Sequence, residues 1–156
     1  MSDNTPRAPK DRIAELPFFQ GFDRAFLEAM AHNATERSYD TGKEIVREGD
    51  PAHEFFVLLQ GKVGLEIESP GRPRRTIQTL SAGEVLGWSW LVAPYRWHLD
   101  ARALKPTRAI VFDAATIREV LRTRPEDGYQ FLMRLIPVVV QRLENTQLQL
   151  LDLHGL

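Results

Sequence analysis

At 156 residues, with 43% apolar and 26% charged residues, the chain has the size and composition of one globular domain with a substantial hydrophobic core. A formal net charge of −1 excludes a general pull toward nucleic acid or anionic lipid, and the lack of cysteine excludes disulfides and thiolate metal sites. No run approaches eighteen uninterrupted apolar residues and the N-terminus has no apolar export segment, so a cytoplasmic protein without a membrane span is expected.

Residues 1–10 are polar and proline-bearing and read as a flexible tail; residues 11–156 read as a single domain. N-terminal helices are expected over 11–34, where Ile13, Leu16, Phe18 and Phe19 are followed by Phe22, Phe26, Leu27 and Met30. Pro17 and Gly21 split this stretch into two short helices, the second capped by Asp23. The period changes over 35–113, where short apolar runs alternate with turn signals such as Glu48-Gly-Asp50, Gln60-Gly61, Pro70-Gly-Arg-Pro73 and Ser81-Ala-Gly83. Phe55–Leu59 suits a strand covered on both faces, and Arg108–Phe112 forms another. Val63, Leu65 and Ile67 alternate with Gly64, Glu66 and Glu68, the pattern of a half-buried strand. Such spacing predicts a small antiparallel barrel or sandwich.

The helical period returns over 114–156. Asp113 or Thr116 caps a helix running to about Leu121, and Pro125 ends it. From about Glu126, Tyr129, Leu132, Ile136, Val139, Leu143, Leu150 and Leu153 follow steps of three and four, broken at Thr146. About 28 residues of helix run some 40 Å, longer than a small barrel covers, so the stripe is expected to be a homodimer seam. Pro137 lies inside it and is expected to divide a barrel-facing half from a partner-facing half. Arg118, Glu119, Arg122 and Arg124 read as a solvated helix face, and Arg72, Arg74 and Arg75 as a solvated hairpin tip.

All three tryptophans, Trp88, Trp90 and Trp97, fall in one short stretch with Ser89, Arg96 and His98, preceded by Gly83, Glu84, Leu86 and Gly87. Large rings beside glycines and a cation suit a pocket wall as well as a core. Glu84 reads more simply as a solvated loop charge. The four histidines lie far apart, with no metal-ligand spacing, so no metal and no cofactor is expected.

Three passages carry a resemblance: Leu16-Pro-Phe-Phe19, then Gly42-Lys-Glu-Ile-Val-Arg-Glu-Gly49 with Phe55-Phe-Val-Leu-Leu-Gln-Gly-Lys-Val-Gly64, then Leu80-Ser-Ala-Gly-Glu-Val-Leu-Gly87. In this order and spacing the chain resembles the sensor domains of the cyclic-nucleotide-binding family, catabolite-activator-like. The resemblance covers residues 13–153. It implies an α+β, mainly β fold: an antiparallel, jelly-roll-like β-roll flanked by N-terminal helices and a long C-terminal helix. It also implies a regulatory module rather than an enzyme.

In that family a short helix-opening turn and one arginine hold the cyclic phosphate, and a carboxylate after the turn glycine accepts from the ribose. Anchored on Leu99-Asp-Ala-Arg-Ala103, which resembles the next strand, the alignment puts Trp88 at the carboxylate position and Trp97 and His98 at the arginine and its neighbour. An indole offers one neutral donor where a guanidinium offers five charged ones. Each lost charged hydrogen bond removes on the order of 1.5–3 kcal/mol. The resemblance therefore implies a divergent cassette, Gly83, Glu84, Leu86, Gly87, Trp88, Ser89, Trp90, Arg96, Trp97 and His98, that binds a small ligand other than a cyclic nucleotide. Two alternatives stand: a ligand-free dimerisation or protein-interaction scaffold, and a true cyclic AMP or cyclic GMP site with Arg96 as the phosphate ligand. The chain stops where a helix-turn-helix would begin, so a stand-alone module with no direct DNA binding is expected.

Overall fold

Three helical pieces precede the strands in the computed structural model, which describes residues 9–153. The expected tail lies outside the described residues except for Pro9 and Lys10, which open α1 (Pro9–Ile13). A single 3-10 turn at Pro17–Phe19 and α2 (Arg24–Ala31) follow, so the segment has three pieces where two were expected. Pro17 accounts for the extra one, because its fixed φ starts a tight turn but cannot continue α1.

Eight strands form two four-stranded antiparallel sheets. One has the order β1 (Thr35–Tyr39), β8 (Thr107–Asp113), β3 (Glu54–Gln60) and β6 (Val85–Leu86). The other has β2 (Glu44–Val46), β7 (Asp100–Ala103), β4 (Lys62–Ile67) and β5 (Arg75–Ser81). This is the expected β-roll. β3 is buried on both faces because adjacent side chains point opposite ways. Phe55 faces the helices, in ring contact with Phe18, Trp90, Phe112 and Phe131, while Phe56 faces the roll interior and meets Trp97 at 6.2 Å.

β4 departs from the alternation its sequence suggested. Glu66 is buried beneath Arg102 and Arg74, and Ile67, the last residue of the strand, is exposed; β4 keeps regular register with β7, and the shift opposite β5 leaves its extra residue, Ile77, on β5. The buried carboxylate is not orphaned: Arg102 Nε donates to it at 3.1 Å and Arg74 Nε lies 3.5 Å away. Arg74 also reaches Asp100 at 3.3 Å, so this arginine of the exposed hairpin tip is ion-paired and not free in solvent.

Asp113 caps α3 (Ala114–Thr123), accepting from the Thr116 amide at 3.0 Å. The pre-proline Arg124 leaves the helical region, and α4 (Pro125–Leu153) starts at once with proline in its first turn. Not all of the expected solvated face is free. Arg124 pairs with Asp23 and Asp127, and Arg118 donates to the Trp90 carbonyl at 2.6 Å.

Pro137 sits inside one unbroken helix and does not separate a roll-facing half from an outward half. The covered face reads Phe131, Leu135, Val138, Arg142, Asn145 and Gln149, in steps of four and three along the whole helix. The outward face, with Tyr129, Leu132, Ile136, Leu143 and Leu150 exposed, is equally continuous. Helical periodicity runs through the proline, so the covered and the exposed face each extend to both sides of it.

Candidate ligand cavity

The tryptophan-bearing segment between β6 and β7 is tied down at several points. Trp90 Nε1 donates to the Gly87 carbonyl at 3.3 Å, the Trp97 amide donates to Asp50 at 3.0 Å, and the Gly49 amide donates to the Trp97 carbonyl at 2.8 Å. Gly87 adopts a positive φ of 77°, a conformation that favours glycine. A Cβ there would stand 2.9 Å from Trp97 Cη2 and still closer to Cζ3, so the indole packs directly on the bare backbone.

Beside these rings lies a cavity of about 300 Å³ between the roll and α4. Its floor is Leu65, Ile77, Gln78 and Leu99 from the roll; the cassette segment adds Leu86, Gly87, Trp88, Ser89, Trp97 and His98. The helix closes it with Val139, Arg142, Leu143 and Thr146. The wall is mostly apolar, and the volume is at the lower end of small-molecule sites.

The sequence-predicted residues are thus only partly brought together. Leu86, Gly87, Trp88, Ser89, Trp97 and His98 line the cavity. Gly83 and Glu84 border an adjoining, more polar depression that shares Arg142, and Glu84 accepts from the Ser81 amide at 2.6 Å, closing its own turn. Trp90 is 0% exposed and lies on the other side of the segment, 5.0 Å from the Phe55 ring and 6.0 Å from Phe131, so it is core and not pocket. Arg96 is exposed and outside the cavity lining; its guanidinium donates to the Gly49 carbonyl at 2.8 Å. Two seam positions, Val139 and Leu143, also line the cavity.

Arg142 is the functional candidate that sequence reasoning missed. Its side chain reaches from α4 to donate to the Val85 carbonyl, with the guanidinium carbon 5.4 Å from the Trp88 ring centre. Burial lowers its pKa to about 10, and the field of Glu84 works the other way, so the group stays cationic at neutral pH. The signal available in the sequence was its place on the covered helix face, four residues beyond Val138 and seven beyond Leu135.

No cluster of potential metal ligands occurs among the described residues, and no described helix is long and apolar enough to cross a membrane. A family model described as cyclic nucleotide-binding domain matches residues 36–124. A cyclic nucleotide-gated ion channel of Arabidopsis thaliana is 31% identical over 77 residues, 49% of this chain. The chain spans 10% and 34% of the length of the curated relatives it matches. Among solved structures, a Geobacter metallireducens protein provisionally described as cyclic nucleotide-binding aligns with a TM-score of 0.76 at 28% identity, covering 88% of this chain and 99% of that one. A cyclic nucleotide-binding domain from Methylobacillus flagellatus aligns with a TM-score of 0.75 at 19% identity, covering 93% and 82%.

Proposed function

The chain belongs to the cyclic nucleotide-binding domain family, and from that premise we propose a regulatory sensor whose cavity takes a small ligand other than a standard cyclic nucleotide. The observation that carries this reading is the seat of Trp97. Its indole is buried against the bare backbone of Gly87, in the stretch where the family's phosphate cassette is expected. Neither Trp97 nor Trp88 supplies a charged donor or a carboxylate acceptor, and Arg96 is held by the Gly49 carbonyl. What remains is an apolar, aromatic-walled space suited to a less polar ligand.

The sensor works as a homodimer through the outward stripe of α4. Tyr129, Leu132, Ile136, Leu143 and Leu150 are exposed along one helix, an apolar seam at the spacing that a second helix covers. The domain serves regulation.

Tryptophan fluorescence tests the ligand assignment. Cyclic AMP and cyclic GMP, titrated to millimolar concentration, leave the emission flat; a saturable micromolar response abolished by Arg96→Ala would sink the reading. Light scattering tests the seam. Ile136→Glu, which does not touch the cavity, converts a dimer to a folded monomer, and an unchanged mass refutes the assignment.

A further inference from the structure

We propose that the cavity binds an apolar or aromatic organic monoanion and that Arg142, on α4, is the residue that anchors its charge. The proposal rests on the preceding reading of the cavity as a ligand site and adds the chemistry of what enters it.

A buried cation needs compensation, since removing a guanidinium from water is costly unless charge or strong hydrogen bonds replace the solvent. Arg142 is 7% exposed, yet its partners are one neutral carbonyl, Val85, and the face of Trp88. The carboxylate whose field reaches it, Glu84, is already engaged with the Ser81 amide. Arg142 borders a void whose other walls include Leu86, Trp97, Leu99 and Val139, as well as the adjoining depression that Glu84 lines. Buried arginines with a structural role normally meet a carboxylate in a two-pronged bond. Here, among the described residues, no carboxylate is hydrogen-bonded to or ion-paired with it.

The shape of the wall completes the specification. One cation balances one negative charge. The mostly apolar walls reward an aromatic or aliphatic body and offer a heavily hydroxylated one few partners. Trp88 and Trp97 line the space with aromatic surface, and Leu65, Ile77 and Leu99 form its floor. Because Arg142 lies on the helix that also carries the exposed stripe, the ligand's charge bears directly on the element proposed to make the dimer.

The test compares 2-naphthoate with its neutral methyl ester on the full chain, by tryptophan quenching and by calorimetry, for the unaltered protein and for Arg142→Met. The acid is expected to bind at least about tenfold more tightly than the ester, the worth of one charged hydrogen-bonded contact. Arg142→Met is expected to abolish that preference while retaining the ester. Equal affinities for acid and ester overturn the anion assignment but leave the cavity as a ligand site. Binding of neither probe overturns the proposal and counts against the cavity itself. Tight cyclic AMP binding lost in Arg142→Met would overturn the preceding reading of the ligand while upholding Arg142 as the anchor. Should Arg142→Met not fold, Arg142→Lys and Arg142→Gln replace it, and binding of the acid that is undiminished in Arg142→Gln refutes the assignment.

Discussion

The two faces of β3 treat aromatic residues differently. Toward the helices, Phe55 meets Trp90, Phe18, Phe112 and Phe131 at ring separations of 5.0–6.2 Å, and rings fill the space. Toward the roll, Phe56 meets Trp97, and beyond that indole the packing stops at a cavity. The same residue type closes one volume and walls another. What separates them is the neighbour supplied by α4: Phe131 on the helix side and Arg142 on the roll side, three turns further along. A phenylalanine completes a core, whereas a guanidinium keeps the space beside it from being apolar throughout.

The sharpest way to break this contrast is truncation of the core ring. Trp90→Ala should cost about 3–5 kcal/mol in denaturant unfolding, as expected for a large buried aromatic, whereas half-buried Trp88→Ala should cost roughly 1 kcal/mol. Equal costs would show that both tryptophans fill space and that the cavity wall is not special. Next in size is Gly87→Ala. A left-handed backbone costs a side chain about 1–2 kcal/mol, and displacing Trp97 adds roughly 1–3 kcal/mol. Gly71→Ala, also at positive φ but facing open space, should cost only the first part and serves as the control. If the two glycine variants unfold at the same denaturant concentration, Trp97 does not bear on Gly87. The smallest effect is expected at Arg142. Replacing it with methionine should leave stability unchanged or raise it by about 1 kcal/mol, because a charge buried without an opposite partner is relieved. A loss above about 2 kcal/mol, read as a fall in Tm, would make Arg142 a structural tie to Val85 and Trp88 and remove its reason to await a ligand.

The architecture was readable because its signals are local. Phe55–Leu59 and Arg108–Phe112 appear as β3 and β8, and Asp113 caps α3 as its side-chain chemistry suggests. Burial on β4 was not readable, since Glu66 is covered by Arg74 and by Arg102 of β7, neighbours that only the sheet pairing brings to it. The candidate site was legible to the same degree. The stretch containing the tryptophans was visible, but which of them line the space follows from long-range ties: Trp90 bonds Gly87 and meets Phe131, while Trp97 is held by Gly49 and Asp50 and meets Phe56. Arg142 escaped notice because α4 carries two apolar stripes one residue out of phase. Following Tyr129, Leu132, Ile136 and Leu143 obscures the parallel series Phe131, Leu135, Val138 and Arg142.

Pro137 lies in the continuous α4 between these two neighbourhoods and brings no amide hydrogen to the Met133 carbonyl one turn earlier. Before it, Phe131 and Leu135 are sealed against the aromatic core; after it, about four turns of helix rest on the cavity and the edge of the roll, with Gln149 reaching the Ile77 carbonyl. A missing rung at that point gives the helix two zones of backbone protection. Amides past Pro137 are therefore expected to exchange with solvent deuterium as a unit of their own, faster than those beside Phe131 and slower once the cavity is occupied.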